Sequence, residues 1–280
     1  MILAPSVLEI DLYEAENRIT RFIREYVKES GATGIVLGLS GGVDSNTIAA
    51  LSSLATKGER VTGLLLPEQE TYNQKDINDA MAIAKKFGLK TQICDITMVL
   101  ESFGKAIPIF DPKDNLCKGN VKARTRMACL YYYANKLNKI VCGSSDKSET
   151  MMGYFTKWGD VAADISPIMD LYKTQVRKLA MLLGIPEELA TKPSTPALWP
   201  EQFAESELGM KYETLDLILY GLERFMDQTE IASHLKIDGA IVKRVKDKWL
   251  SAEHKRRMIL APKLEFRTVG ADFRLPRSRW

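Results

Sequence analysis

The chain has no apolar run long enough to cross a membrane, and its four cysteines, Cys94, Cys117, Cys129 and Cys142, form no CxxC pair. With only two histidines, no Cys/His metal spacing is available. Cys94 and Cys142 fall in apolar, strand-like runs, the ordinary place for a buried free thiol. Where a secretion leader would carry basic and then apolar residues there are Glu9, Asp11 and Glu14. The 39 basic and 36 acidic residues are dispersed and sum to +3, so no concentrated basic face marks a dedicated nucleic-acid binder. Internal repeats and low-complexity tracts are absent as well. These absences imply a cytoplasmic protein without membrane or nucleic-acid partners. Its 280 residues suffice for one large α/β domain or two small ones.

What is present is concentrated first in Gly38, Leu39, Ser40, Gly41, Gly42, Val43, Asp44 and Ser45. The apolar run Gly34–Leu37 before them reads as a buried strand, and Asn46–Leu51 after them as the first turns of a helix. A strand, a tight glycine turn and a helix start form an anion site, because unpaired N–H groups and the positive helix end converge there. Gly41 and Gly42 let a phosphate approach the backbone. Ser40 and Ser45 can add hydroxyl donors, and Asp44 can hold the Mg²⁺ that accompanies a polyphosphate. The lysine that ends a Walker-type loop is missing.

Further on, Leu12, Ala15, Ile19, Phe22, Ile23 and Tyr26 recur at helical spacing with Gly31 as a stop. Strands are expected at Val61–Leu66, Thr91–Ile93 and Ile140–Cys142, and helices at Asp76–Phe87 and along Ala123, Met127, Leu130, Ala134 and Leu137. Alternating strands and helices give an α/β fold, a doubly wound parallel sheet with ligands at the carboxyl ends of its strands. Ser40 and Ser144 would both lie there. The proline-rich stretch Lys192–Pro200 reads as a loop leading to a helical C-terminal part. The expectation is a single domain over 1–280, with an α/β nucleotide-binding core at 1–190 and a loop and helical segment at 191–280 packed on it.

The loop resembles the SGGxDS loop of the PP-loop ATP pyrophosphatases, which grips the pyrophosphate leaving ATP. A second cluster, Gly143-Ser-Ser-Asp-Lys-Ser-Glu-Thr150, follows the fourth strand. Taken with Gly119–Met127, Gly153-Tyr-Phe-Thr-Lys-Trp-Gly-Asp160, Asp164–Gln175 and Glu253–Arg257, it makes the chain similar to the NAD synthetase family in motif order from Gly38 to about Gly209. The resemblance implies that Gly38–Ser45, Ser144, Lys173 and Thr195 contact ATP. It implies that Asp44 and Glu149 bind Mg²⁺, with Lys173 completing the catalytic set. Arg124, Lys157, Asp164, His254 and Lys255 match positions that bind deamido-NAD. It further implies a homodimer whose dinucleotide site forms partly across the interface. Ammonia would come free or from a separate supplying protein, because no segment remains for the amidase domain of glutamine-using members.

Such residues suit adenylation of a carboxylate followed by attack of ammonia, which needs positioned cations rather than a protein nucleophile. Three positions depart from the family pattern: Ala204 where an aspartate is usual, and Ser194 and Pro196 in the proline loop. Two other readings compete. One is a PP-loop ligase acting on a different carboxylate, or a sulfur-transfer version in which Cys117, read as a loop residue, would be the thiol. The other is nucleic-acid binding by Thr229–Lys248, which reads as helix, turn and basic helix. Against it, Ile231, Leu235, Ile241 and Val245 form a stripe suited to packing on the main domain.

Overall fold

The computed structural model describes residues 2–269 and 272–273; the remainder of the single-domain expectation over 1–280 lies outside the described residues. Helix α1 (Leu12–Glu29) begins where the Asp11 carboxylate accepts the Glu14 N–H at 3.0 Å, and ends at Ser30 before Gly31 turns to φ +69°. Its Ile23 and Val27 enter the core. Strand β1 (Ile35–Gly38) carries three wholly buried residues in succession, Ile35, Val36 and Leu37. That unbroken burial belongs to a parallel strand covered on both faces.

Helix α2 (Val43–Thr56) starts three residues earlier than the sequence reading placed it. Gly42 is extended and can itself be the N-cap, so Asp44 and Ser45 lie in the first helical turn and not in the loop. Strand β2 (Val61–Leu65), helix α3 (Gln74–Lys86) and strand β3 (Lys90–Ile93) follow within two residues of their expected bounds. Helix α4 (Thr97–Ala106) was not foreseen, and α5 (Asn115–Leu137) begins well before its apolar stripe, at the cap Asp114. Cys117 therefore sits exposed in the first turn of α5; the reading of it as a loop thiol is corrected. Strand β4 (Ile140–Val141) is short, because Cys142 passes to a parallel bridge with Ile165.

The sheet is parallel throughout, in the order β3-β2-β1-β4. Ile35 stands between Val61 and Ile140. Chain order runs outward from β1 on one side and returns to its other side with β4, which makes the β1–β4 crevice the switch point where α/β sheets take ligands. Helices α6 (Lys147–Met152), α7 (Lys173–Leu182), α8 (Glu187–Ala190), α9 (Ala204–Leu208) and α10 (Tyr212–Glu223) come next. Helices α11 (Gln228–Leu235), α12 (Gly239–Ser251) and α13 (Glu253–Arg256) follow. A second core cluster joins α10 to Leu3, Leu8, Met151 and Met152. Ile231 and Val245 of the α11–α12 pair are buried in it, with Leu235 and Ile241 packed against it, as the apolar stripe required. No helix among the described residues is long and apolar enough to cross a membrane.

Candidate active site

The phosphate-type loop is held by its own hydroxyls. Ser45 Oγ donates to the Gly42 carbonyl at 3.0 Å and accepts the Ser40 N–H at 3.3 Å, while Ser40 Oγ accepts the Gly42 N–H at 3.3 Å. Gly41 takes φ +80°, and a Cβ there would fall 2.6 Å from the Asp76 carbonyl oxygen. Only glycine fits. The first-turn N–H groups of α2 are left without helical acceptors, as at any helix start.

Behind this loop, four charged side chains from three elements converge. Lys173, the first residue of α7, is completely buried, and its Nζ lies 2.6 Å from Asp44 Oδ2, 2.9 Å from Asp146 Oδ2 and 2.8 Å from Glu149 Oε1. One carboxylate oxygen from each of Asp44, Asp146 and Glu149 lies within 4.8 Å of the others. Burial, and then the neighbouring carboxylates, push Glu149 and Asp146 above the usual range, while Lys173 opposes the shift. Burial alone would lower Lys173; the three carboxylates outweigh it and hold the ammonium charged. Fully ionised, the set carries three negative charges and one positive. Asp44 Oδ1 is buried without a hydrogen-bond partner. That orphan oxygen and the all-oxygen donor set fit a hard divalent cation.

Asp146 carries no role in the sequence reading. It caps α6 by accepting the Glu149 N–H at 2.8 Å, so its only sequence signal was that of a capping acid. Its second oxygen faces Lys173. A further layer fixes the lysine: Lys173 N–H donates to Ser148 Oγ at 2.9 Å, and Ser148 Oγ donates to Asp216 Oδ1 at 2.5 Å. Asp216 Oδ2 accepts the Thr174 N–H at 2.9 Å. Burial lifts the Asp216 carboxyl to about 6, against hydrogen bonds that favour its ionised form. One turn earlier on α10, the buried Tyr212 ring lies 5.2 Å from Lys173 Nζ.

The loop opens into a cavity of about 730 Å³ lined by Ser40, Asp44, Ser144, Glu149 and the Lys192–Trp199 stretch, Thr195 included. Lys192 ties that stretch to α3 through Asp76 at 2.5 Å and Asp79 at 2.8 Å. The departures from the family pattern meet here: the Ala204 N–H donates to the Ser194 carbonyl at 2.9 Å.

Of the other expected residues only Lys255 lines the cavity; Arg124, Lys157 and His254 are linked to one another outside its lining. Arg124 Nη2 donates to the Lys157 carbonyl at 3.2 Å, and Lys157 Nζ donates to the His254 carbonyl at 2.6 Å. Lys255 Nζ reaches the cavity wall and donates to the Gly153 and Phe155 carbonyls, each at 2.7 Å. Asp164 lies apart from them, accepting the Val141 N–H at 2.7 Å and the Tyr131 hydroxyl at 3.3 Å. Sequence reasoning missed Arg126, which lines the cavity, and the buried Lys122, paired with Glu68 at 2.7 Å and Glu70 at 2.6 Å.

Comparison with known proteins agrees with this geometry. Residues 15–259 match the NAD synthase family. A protein of Methanocaldococcus jannaschii named NH(3)-dependent NAD(+) synthetase is 45% identical over 253 residues, 90% of this chain and 97% of the relative. The solved NMN synthetase of Francisella tularensis superposes with a TM-score of 0.80 at 30% identity, covering 91% of this chain and all of that one. The NH3-dependent NAD synthetase of Campylobacter jejuni, solved with a nitrate ion, gives 0.77 at 30% identity with the same coverage. On its loop, its carboxylate cluster and these likenesses, the chain belongs to the NAD synthase family.

Proposed function

We propose that the chain joins ammonia to the nicotinate carboxylate of deamido-NAD at the expense of ATP, giving NAD, AMP and pyrophosphate. One observation carries the reading: a glycine-serine phosphate loop opens into one cavity with Asp44 and Glu149, two of the three carboxylates gathered on a buried lysine. The relatives named for this ammonia-dependent reaction support it at 42% and 45% identity over about nine-tenths of the chain.

In this reading Gly38–Ser45, Ser144 and Thr195 seat ATP, with Lys173 keeping a positive charge beneath the phosphates. Asp44, Glu149 and, in addition, Asp146 would hold Mg²⁺, which supplies charge neutralisation to the polyphosphate. The nicotinate carboxylate attacks the α-phosphorus, the bond to the β-phosphate oxygen breaks, and pyrophosphate leaves into the loop. Ammonia then attacks the acyl carbon, loses a proton and expels AMP. The chain contributes orientation and fixed charge. Arg124, Lys157, Asp164, His254 and Lys255 receive deamido-NAD.

The whole chain acts as one domain, in the cytoplasm, as a homodimer. Exposed apolar side chains on and beside α4 and α5 (Met98, Val99, Ile109 and Tyr132) are available for such a dimer to cover. Its ammonia arrives free or from a separate protein.

The test is to mix the pure protein with ATP, Mg²⁺, ammonium and deamido-NAD and to measure NAD, AMP and pyrophosphate. Equal yields of the three are expected, with glutamine in place of ammonium giving none. Amidation of nicotinate mononucleotide in preference to deamido-NAD would move the chain to the NMN synthetase activity named for the Francisella structure. Absence of AMP with every acceptor would overturn the reading. Lys157→Ala is expected to weaken deamido-NAD by about tenfold and ATP by less than about twofold, because a partly exposed charge away from the phosphate loop steers one ligand only. Equilibrium binding of each substrate separately checks this, and equal losses would misplace Lys157.

A further inference from the structure

Arg126 is a half-buried cation of the cavity wall, and it has no acid partner among the described residues. Among the described residues no carboxylate lies within salt-bridge distance of it; Lys192, which also lines the cavity, is held by two. Glu68, the acid that acts on Arg126 most strongly, is already claimed by Lys122 and by the hydroxyl and N–H of Thr71. Arg126 makes three long contacts instead. Nε donates to the Leu66 carbonyl at 3.4 Å, Nη1 to Pro196 at 3.5 Å and Nη2 to Ala197 at 3.4 Å.

A half-buried guanidinium in a cavity wall normally finds an anion, since carbonyl dipoles at that range replace its lost hydration poorly. Burial lowers its pKa, yet a guanidinium stays charged. Three of its five N–H groups are used, which leaves one on each terminal nitrogen, enough for a forked grip on an oxyanion. The place suits such a ligand. Leu66 directly follows β2, whose Leu64 carbonyl accepts the Leu39 N–H of the phosphate-type loop at 2.9 Å. Arg126 and that loop thus face one cavity from adjacent strand ends.

We propose that Arg126 receives a phosphate oxyanion of a bound nucleotide and, through its contacts with Pro196 and Ala197, seats the proline loop over it. This rests on the function proposed above and adds a substrate-contacting residue to it. The oxyanion belongs either to ATP or to the diphosphate of deamido-NAD; both present the same chemistry.

The test measures binding of Mg·ATP and of deamido-NAD separately by calorimetry, in the wild type and in Arg126→Ala and Thr71→Val. Thr71 Oγ1 lies 3.1 Å from the Ala197 carbonyl and 2.6 Å from Glu68 Oε1, so Thr71→Val loosens the same loop while Glu68 keeps its bonds to Lys122 and the Thr71 N–H. Arg126→Ala is expected to lose on the order of thirtyfold for one nucleotide, and the one lost names the source of the oxyanion. Thr71→Val should stay within about twofold of wild type for both. Losses under about twofold in Arg126→Ala, or the same loss in both variants, would reduce Arg126 to a brace of the loop and overturn the proposal. Wild-type protein that binds neither nucleotide would instead defeat the proposed function.

Discussion

Asp44→Ala is expected to abolish pyrophosphate release while leaving the fold intact. Asp44 sits in the first turn of α2 with about a fifth of its side chain exposed, and one of its oxygens is buried without a partner. Loss of groups that merely orient a metal ligand costs ten- to a hundredfold, so loss of a ligand from a three-carboxylate site should exceed about a hundredfold in turnover. The protein without metal should lose little, because removing one of three crowded carboxylates relieves repulsion around Lys173. Two measurements separate these effects. A phosphate-coupled assay reports pyrophosphate release, and thermal unfolding with and without Mg²⁺ reports metal binding. Wild type should gain stability with Mg²⁺ by mass action, and Asp44→Ala should not. Near-normal release, or an unchanged response to Mg²⁺, would remove Asp44 from the metal site.

The parts of this site that the sequence revealed are those whose signals are local. Gly38–Ser45 could be read because a glycine turn between an apolar run and a helix start occupies consecutive residues. Glu149 and Lys173 could be placed only through the family resemblance, since a carboxylate and a lysine at helix starts have ordinary roles. What the sequence withheld depends on long-range closure. Lys122 meets Glu68 across 54 residues and Lys192 meets Asp76 across 116, and no periodicity announces such pairs. Arg124 and Arg126 show the same limit within one helix. Two residues rotate a helix by about 200°, so Arg124 faces solvent while Arg126 lines the cavity. The motif contained both, and geometry alone tells them apart. The early start of α2 has a similar origin: Gly42 caps without a side chain, so no residue type marked the boundary.

Lys173→Met should be the most damaging single change in the chain. The lysine is completely buried, and so is Asp146, one of its three partners. A methionine of similar length fills the space but leaves three carboxylates facing one another with no counter-charge. Breaking a buried ion pair from one side costs about 3–5 kcal/mol, equivalent to roughly ten degrees in melting temperature for a chain of this size. The position of the backbone is not at issue, because the Lys173 N–H bond to Ser148 Oγ and the Asp216 anchor survive the substitution. A divalent cation should therefore restore part of the loss. Mg²⁺ should raise the melting temperature of Lys173→Met more than that of wild type, where one positive charge is already in place. Turnover should stay undetectable even at saturating Mg²⁺, since the metal replaces the charge but not the ammonium beneath the phosphates. Equal melting temperatures for variant and wild type in chelator would mean that the four groups do not share one buried site. A variant that recovers turnover with Mg²⁺ would show that the lysine only balances charge.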